Sequence, residues 1–536
     1  MSEVSSPAAG AIVGRSVLGR RGLLAAAAGG VALTAIPTAT AAAVTTGRAR
    51  PRSGVPVTVP DDHALHALRR LGYGPTPADL ATVRSMGTSA WLAKQLAGGK
   101  DLHETLLALQ FPLLTMAPAR MAQAYAADSY EAIQAYEWAT LSRTIFSENQ
   151  VLARLGEVWL DHFNVCSLVE KQFLPWTRFS YDTEVVRPRA AGSFAELLAA
   201  VLTAPAMLTY LDQWLSNKEY PVENLAREDL ELHTVGLGNF TERDVKAYAK
   251  LLTGATINPT TWGYEYNPAL HYTGHLEIVG FKTANRSANG EHLIRDFAEY
   301  LAHRPATART VARRLLVHYV SDTPSASLID RVARHYLRNG TEIGSTLRFI
   351  VEQDEFFASR GQKARRPGDT FAAAVRGMGW TWGQLPDLGA TSVKTVLSWG
   401  AYLNFLRAAG HVPSEWVAPN GYPDVGHAWL NSNTTLQTWQ LMGWLANPGG
   451  TAPPFTRTRG PAAAAWHQGI TVDGIIAAAA ERITGQSVRR EHRHAIAAIA
   501  GLDPHEQPSS AWRAGGTPAH GAIEFAILAS EYMELR

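Results

Sequence analysis

The sequence predicts a mainly α-helical protein: one large helical domain with minor short β ribbons and a small helical C-terminal segment. Apolar residues recur at spacings of three and four through most of the chain after Asp61, which is the periodicity of helices with one buried face. Strand-like alternation is scarce, and its best example is residues 276–281. A chain of 536 residues is long enough to bury a large core without other support.

Helix start signals justify the elements in order along the chain. Each signal places a capping side chain or a proline directly before an apolar periodic run. These signals lie at Thr76-Pro77, Ser193 with Glu196, Thr241 with Asp244, and His303-Arg304-Pro305. Further periodic runs predict helices over 328–337 and 343–357.

A stretch rich in Pro, Gly and Ala, residues 447–465, follows the main domain at 61–446. We interpret it as a linker, because such composition interrupts helices. Residues 466–536 then form the C-terminal segment, with helices predicted over 472–483, 489–500 and 523–535.

The N-terminus has the order of a secretory signal. Arg20-Arg21 precede an Ala-rich apolar run that ends before Pro37, and small residues follow at 39–43. The paired arginines predict a twin-arginine signal over residues 1–43, a route served by the twin-arginine export machinery. Residues 44–60 are then a flexible leader. The expected location is secreted or at the cell surface, with no stable membrane span after cleavage.

Charge and cysteine content exclude several classes of function. Without residues 1–41, which hold three arginines and one glutamate, the chain has 46 basic and 46 acidic residues. A neutral chain without a basic stripe is not expected to bind nucleic acid. The only cysteine is Cys166, so no disulfide can form within the chain. Signatures of nucleophile elbows, phosphate loops and dinucleotide-binding loops are absent.

The densest polar motif is the stretch 223–233. On a continuous helix Asn224, Arg227, Glu228 and Glu231 share one face, and two carboxylates held by a guanidinium and an amide could act as an acid/base pair. The same spacing also suits a surface ion pair or a buried structural network.

Two histidine motifs offer proton carriers or metal ligands. His162 lies among aromatic residues and follows Asp161, whereas His271 and His275 are four residues apart. A divalent metal held by His162, His271 and His275 is one hypothesis, and no cofactor is identified by the sequence. A core histidine with a single hydrogen bond is the alternative for His162.

The stretch 416–432 combines turn formers with aromatic residues. Rings of this kind beside amides and carboxylates suit sugar binding if the loop lies at the surface. The candidate substrate-binding residues are Trp416, Asn420, Tyr422, Asp424 and Trp429. Ordinary loop packing would explain the same composition.

Several of these stretches together resemble one bacterial family, DUF1800, over roughly residues 61–445. Six ordered motifs carry the resemblance: residues 66–76, 159–163, 223–236, His271 with Gly280, 305–309 and 419–423. The resemblance implies that the chain is an exported member and that the 223–236 face and His162 belong to a shared site. Asp229 and Tyr272 differ from the residues common at those positions. The resemblance implies no particular reaction.

The leading functional hypothesis is an extracytoplasmic hydrolase that acts on a neutral glycan or another envelope or extracellular polymer. Glu228 and Glu231 would supply the acid/base chemistry, with Arg227 and Asn224 orienting them and a metal as an optional helper. Because the separation of two carboxylates on one helical turn is constrained, Glu228 and Glu231 need not form the whole pair, and Asp161 or Asp424 could complete it. The alternative is a non-catalytic cell-surface protein that binds or assembles through the aromatic residues.

Overall fold

The computed structural model describes residues 60–126, 130–168, 171, 174–382, 402–446, 455–456, 460–465, 469–508 and 518–536. One compact unit covers Val57–Arg536. The predicted signal and leader, and most of the predicted linker, lie outside the described residues. No helix within the described ranges is both long enough and apolar enough to span a bilayer.

The described chain is mainly helical, which confirms the predicted fold class. The helices of the first half are α1 (His63–Leu71), α2 (Pro77–Met86), α3 (Thr88–Ala97), α4 (Leu102–Gln110), α5 (Pro118–Ala124), α6 (Tyr130–Phe146), α7 (Gln150–His162), α8 (Leu174–Ser180), α9 (Phe194–Leu202), α10 (Pro205–Tyr210), α11 (Asn224–Glu228) and α12 (Glu242–Leu252).

The helices of the second half continue this pattern. They are α13 (Glu291–Ala302), α14 (Pro305–Tyr319), α15 (Ala326–Arg338), α16 (Ile343–Val351), α17 (Asp354–Ala358), α18 (Pro367–Met378), α19 (Gly426–Trp429), α20 (Ser432–Ala446), α21 (Pro461–Ala464), α22 (Val472–Thr484), α23 (Arg490–Ile499), α24 (Pro518–Leu528) and α25 (Glu531–Glu534). Residues 402–408 are also helical.

The strands form only short antiparallel ribbons. They are β1 (Ala255–Ile257) with β2 (Tyr264–Tyr266), β3 (Leu276–Ile278) with β4 (Phe281–Thr283), and β5 (Thr381–Trp382) with β6 (Phe455–Thr456). The predicted strand at 276–281 is a hairpin, because Val279 and Gly280 both have positive φ and make a two-residue turn. Asp244 Oδ1 accepts the Val279 backbone N–H at 2.7 Å and helps to hold this turn.

The capping signals behave as their chemistry requires. Thr76 and Thr241 each form a reciprocal capping box with an aspartate three residues on. Ser193 accepts from the backbone N–H of Glu196 and starts α9. The run predicted as one helix over 343–357 is instead α16 and α17, because Gln353 adopts an extended backbone with ψ 141°.

Two apolar cores share the long helix α7. One core joins α1–α3 and most of α7 to α9, α12 and α13–α17. The other joins α4–α6 to α18, α20 and α22–α25, and Ala153 of α7 packs there. The C-terminal helices therefore share one apolar core with elements from the first third of the chain. The junction between the two cores holds the polar site described next.

Candidate functional site

The site begins with one polar face of α7, a helix that is otherwise mostly buried. Arg154, Glu157 and Asp161 lie at positions i, i+3 and i+7, so their side chains leave the helix on one side. The side chain of Arg154 is 1% exposed, whereas those of Glu157 and Asp161 are 14% and 15% exposed. The side chains of Glu157 and Asp161 are therefore partly accessible to solvent, whereas that of Arg154 is not.

The start of α18 faces these groups. Arg366 precedes the first residue of the helix, and Asp369 lies in its first turn. Arg366 Nη1 donates to Asp161 Oδ2 at 2.5 Å, and its Nη2 lies 3.8 Å from Glu157 Oε2. Its Nε is 3.6 Å from Asp369 Oδ2. One guanidinium therefore contacts three carboxylates.

Behind this layer, a second set of buried charges surrounds Asp369 and Asp424. Asp369 Oδ2 lies 3.5 Å from Arg154 Nη1 and 3.4 Å from Arg536 Nη1. Asp424 accepts from His318 Nδ1 and from Arg536 Nη2, the latter at 3.3 Å. These arginines hold the pKa of Asp369 well below its usual range, despite its complete burial.

His318 connects the two acids through its neutral ring. Its Nδ1 faces Asp424, and its Nε2 lies 3.2 Å from Arg154 Nη1, which can only donate. Nε2 must therefore be the acceptor, and the ring proton lies on Nδ1. Burial holds the pKa of His318 well below its usual range, which agrees with a neutral imidazole.

A polar cavity opens at the two carboxylates. Twelve residues line it: Tyr136, Thr140, Glu157, Leu160, Asp161, Asn164, Arg178, Arg366, His411, Pro413, Ser414 and Tyr422. It offers ≈ 40 Å³ to the centres of water-sized molecules. Since about 10–15 Å³ suffices for one water, the cavity has room for a few waters or one small polar group.

Glu157 is the most perturbed carboxyl of the cavity. Its Oε1 is buried and makes no hydrogen bond of 3.5 Å or less with the described residues, although the Tyr73 hydroxyl interacts with this carboxyl group. Burial raises its pKa to about 7, against the lowering effect of Arg187 and Arg366. Burial also raises the pKa of Asp161, while Arg366 and Arg314 oppose that change. Glu157 can therefore exist in both protonation states near neutral pH, as a general acid or base requires.

The loop 409–425, which precedes α19, packs tightly against Asp161. Gly421 has φ +68°, and a Cβ at this position would lie 1.9 Å from the carbonyl oxygen of Asp161. Asn164 donates to the carbonyls of Trp416 and Ala418 at 2.8 Å each. The turn predicted at Asn420-Gly421 thus fixes the end of α7 and the wall of the cavity.

The stretch predicted to carry the acid/base pair is not one continuous face. Helix α11 ends at Glu228, and Asp229–His233 form a π-helical turn, whose wider spacing rotates Glu231 away from the line of Asn224 and Arg227. Glu228 and Glu231 are half-buried, and Asn224 is exposed. Burial raises the pKa of Glu228.

Arg227 is occupied by carboxylates outside that predicted face. Its guanidinium binds Glu242 through two bonds of 2.5 and 2.8 Å and Glu223 through one of 3.1 Å. Asn224 lies 3.5 Å from Asp212 Oδ2. The Arg227–Glu231 surface ion pair considered from the sequence is therefore not formed, and Arg227 pairs instead with Glu242 and Glu223.

The three candidate metal ligands are not brought together by a shared contact. His162 Nε2 is 2.9 Å from the carbonyl oxygen of His233, in the aromatic core. His271 uses Nδ1 at 2.6 Å from the Thr253 carbonyl and Nε2 at 2.9 Å from Asn285 Oδ1. His275 is exposed. Throughout the described residues, no three His, Cys, Asp or Glu side chains are grouped to hold a metal ion.

The aromatic residues predicted to form a surface platform are mostly interior. Tyr422 and Trp429 are buried and pack around His411, with ring centroids 4.7 and 5.3 Å from it. Asp424 is buried in the charge cluster. Trp416, which is half-buried, and Asn420, which is exposed, remain near the surface, and Trp416 Nε1 donates to Asn420 Oδ1 at 2.8 Å. The expected exposed platform of Trp416, Tyr422 and Trp429 is therefore not present, because two of the three rings are buried where the loop folds inward over α7.

Several residues of this site escaped the sequence reasoning. Asp161 and Asp424 were considered as partner carboxylates, but Glu157, Arg178, Arg366 and Asp369 were not. The available signal was the spacing Arg154, Glu157, Asp161 on a strongly apolar helix, together with the cluster Arg365-Arg366-Pro367-Gly368-Asp369. Neither pattern reveals that these segments meet, because they are more than 200 residues apart.

The fold and site define a class: a mainly helical protein with a solvent-reached, charged cavity between two apolar cores. Residues 66–533 match the family model described as "Protein of unknown function (DUF1800)", so the chain belongs to the DUF1800 family. This confirms the resemblance indicated by its motifs. No curated protein and no solved structure matches the chain.

Proposed function

We propose that the protein is an exported hydrolase that cleaves a glycan or another envelope or extracellular polymer by carboxylate acid/base chemistry. The observation that carries this proposal is the pair Glu157 and Asp161, held by one guanidinium in a cavity that solvent reaches. Glu228, the carboxylate favoured by the sequence, is not among the residues that line this cavity. The acid/base pair is therefore assigned to α7.

The two carboxylates differ in a way that suits separate roles. Glu157, whose pKa is about 7, is partly protonated at neutral pH and donates its proton to the leaving oxygen as the bond to carbon breaks. Asp161, held at 2.5 Å by Arg366, accepts a proton from the attacking water, whose oxygen forms the new bond to carbon. Asp161 then releases its proton to solvent and Glu157 takes one up from solvent, which restores both carboxyl groups.

The size of the cavity limits what enters it. Space for a few waters admits the attacking water and a single functional group, but not a sugar ring. The polymer therefore lies across the mouth of the cavity, where Asp161 and Glu157 are partly exposed. An extended chain satisfies this requirement better than a small soluble substrate.

Export is proposed from the sequence. Arg20-Arg21 and the following apolar run support passage through the twin-arginine machinery and a final location outside the cytoplasm. A protein exported in this way meets polymers of the envelope and the surroundings.

The test compares two glutamates. Glu157→Gln should lower kcat on a cleaved polymer by about 100-fold or more, which is the usual contribution of a positioned acid. Glu228→Gln should keep kcat within about threefold and serves as the matched control. The measurement is release of new chain ends from purified envelope and extracellular polysaccharides, with the pH profile of the wild type showing a limb near pH 7.

The opposite pattern, with Glu228→Gln inactive and Glu157→Gln active, would assign the acid/base pair to residues 223–233 instead.

Binding without cleavage would favour the second candidate, a non-catalytic glycan-binding protein. An exposed groove supports that alternative: it is lined by Leu430, Asn431, Ser432, Thr435, Leu436 and Trp439, with Trp439 43% exposed. In that case Trp439→Ala should abolish retention on the polysaccharide.

A further inference from the structure

Arg178 of α8 is a buried cation whose hydrogen bonds are incomplete. The residue is 3% exposed and lines the cavity. Its Nε and Nη1 are buried and have no hydrogen-bond partner within the described part of the chain. The guanidinium lies over the rings of Tyr136 and Tyr181, 4.5 and 5.4 Å from their centroids. Rings attract a cation but do not replace an acceptor, so the desolvation of these N–H groups is not offset.

Asp182, which interacts electrostatically with Arg178, and Asp161, which lines the same cavity, are both engaged by other arginines. Asp182 contacts Arg187, lies 3.8 Å from Arg143 and accepts from Tyr136 at 2.9 Å. Asp161 is bound by Arg366. Arg178 is attracted by Asp182 but makes no ion pair within 4 Å among the described residues. The cavity wall therefore contains a positive charge that lacks its own counter-ion.

Besides the carboxylates of Glu157 and Asp161, the cavity wall holds hydroxyl and imidazole groups that can donate hydrogen bonds. Ser414 Oγ and Thr140 Oγ1 are buried in the cavity wall and lack hydrogen-bond partners among the described residues. His411 Nδ1 accepts the Gly368 N–H at 3.1 Å, and burial lowers the pKa of His411 to about 3. Its neutral ring therefore carries the proton on Nε2. A guest surrounded by these groups should present acceptor oxygens.

We propose that Arg178 forms a carboxylate-binding subsite in this cavity, and that the polymer recognised by the protein carries carboxylate groups. A carboxylate is planar and matches the parallel N–H groups of a guanidinium. It also fits a cavity with room for a few waters. The subsite stands on the geometry of the cavity alone, whereas its assignment to a substrate rests on the proposed hydrolase function. The acidic substrate replaces the neutral glycan that the sequence suggested.

Acetate is the probe for the subsite, measured by calorimetric titration of the mature protein at pH 6. Wild type should bind acetate and should not bind acetamide, which has the same shape without the charge. Arg178→Met should weaken acetate binding by roughly 10-fold or more, as expected for loss of a charge-assisted hydrogen bond. The control Arg120→Met removes an exposed arginine and should leave the affinity unchanged.

Other results would overturn the assignment. Equal acetate affinity in Arg178→Met, or no acetate binding by the wild type, removes the subsite. Inorganic phosphate that binds more tightly than acetate through Arg178 would replace the carboxylate with a phosphate group. Arg178→Lys, which keeps the charge, covers the case in which Arg178→Met fails to fold: partial recovery of acetate binding supports the subsite, and none contradicts it.

The two proposals fail separately. Glu157→Gln should lose hydrolysis and still bind acetate, because it removes the acid and keeps Arg178. If a polymer is cleaved, carboxyl-reduced polymer should show a KM raised by roughly 10-fold or more with the wild type, and Arg178→Met should no longer distinguish the two polymers. Equal KM values for both polymers with the wild type would show that the subsite does not recognise the substrate.

Discussion

Asp369 shows how one buried carboxylate organises a set of arginines. Its Oδ2 lies within 3.6 Å of a nitrogen of Arg154, Arg366 and Arg536, and the residue itself is 1% exposed. Three guanidiniums can be buried together only because an anion lies among them. The acid is therefore a structural requirement of the site as well as a neighbour of its catalytic candidates.

Replacing Asp369 with Asn should lower the free energy of unfolding by about 3–5 kcal/mol, because the three arginines would lose their shared anion while remaining buried. Equilibrium denaturation in urea measures this loss. The control is Asp296→Asn, a change outside the cluster, which should stay within about 0.5 kcal/mol of the wild type. A similar small effect at Asp369 would show that the arginines are neutralised by other groups.

At the residue scale, the sequence predicted the capping residues but not the partners of the buried charges. Thr76 and Thr241 act on backbone groups within three residues, so their role follows from local spacing. Arg366 and Asp161 are 205 residues apart, and nothing local specifies their contact. From the sequence Asp161 was only a possible partner carboxylate, and its contact with Arg366 required the surrounding structure.

Two elements of the site depart from regular helical or turn geometry. The first is the π-helical turn Asp229–His233, which turns Asp229 inward so that Tyr248 donates to it at 2.8 Å. The second is the turn at Gly421, which approaches the backbone of α7. The sequence predicted a turn at Gly421 from Asn-Gly, but the regular helix assumed for 223–233 was wrong, because periodicity does not distinguish α from π spacing over one turn.

Gly421→Ala should disturb the site through its backbone. The new Cβ would lie 1.9 Å from the carbonyl oxygen of Asp161, so the loop or α7 must move. Expected results are a loss of several kcal/mol in the free energy of unfolding and loss of acetate binding.

The matched control for this substitution is Gly410→Ala. Gly410 has φ +82° with no atom within 4 Å of an added Cβ. Gly410→Ala also places an alanine at positive φ, so it should lower the free energy of unfolding only through conformational strain, by about 1–2 kcal/mol. Equal losses for the two variants would mean that strain alone, and not the approach to Asp161, accounts for the effect at Gly421.

For the whole molecule, buried acids of opposite behaviour set the dependence of stability on pH. Burial and the adjacent Glu415 raise the pKa of Glu137, and burial raises that of Glu157 to about 7. The arginines around Asp369, and His318 with Lys363 around Asp424, lower the pKa values of those two acids. The first pair stabilises the fold when protonated and the second pair when ionised.

Stability should therefore be highest near pH 5. Below about pH 4 the unfolded chain takes up protons that Asp369 and Asp424 resist, so their contribution is lost as the pH falls. Above about pH 4.3 the unfolded chain releases protons that Glu137 and Glu157 retain in the folded chain, so stability falls as the pH rises. The decline due to Glu157 extends to about pH 7, and the decline due to Glu137 extends to higher pH.

The melting temperature measured from pH 3 to pH 9 checks this prediction, and Glu137→Gln should flatten the alkaline decline. The mutant keeps Arg407 paired with Glu415, at 2.7 Å between Nε and Oε1. A melting temperature of the wild type that rises steadily to pH 8 would contradict the raised pKa values of both glutamates.

The sequence predicted the overall fold class and the family of this molecule better than it predicted how its helices pack together. Periodicity along the chain was enough to indicate a helical fold. The Pro-, Gly- and Ala-rich stretch 447–465 separated residues 466–536 as a terminal segment, whereas α22–α25 share a core with α4–α6. Which amphipathic faces meet depends on contacts between distant segments, and a single sequence does not record them.

The buried charges that pair with one another are far apart in the sequence, and this affects when the protein can finish folding during its synthesis. Arg154 is paired with Asp369, 215 residues further along, and Arg70 donates to carbonyl oxygens of Tyr319, Ser359 and Arg536. At about 5–20 residues per second, a ribosome makes Arg154 roughly 10–40 s before Asp369. During that interval the nascent chain holds arginines whose counter-charges do not yet exist, so its centre stays open and hydrated. Closure of the molecule is therefore an event that follows most of translation, and any partner that must act before closure has tens of seconds in which to do so.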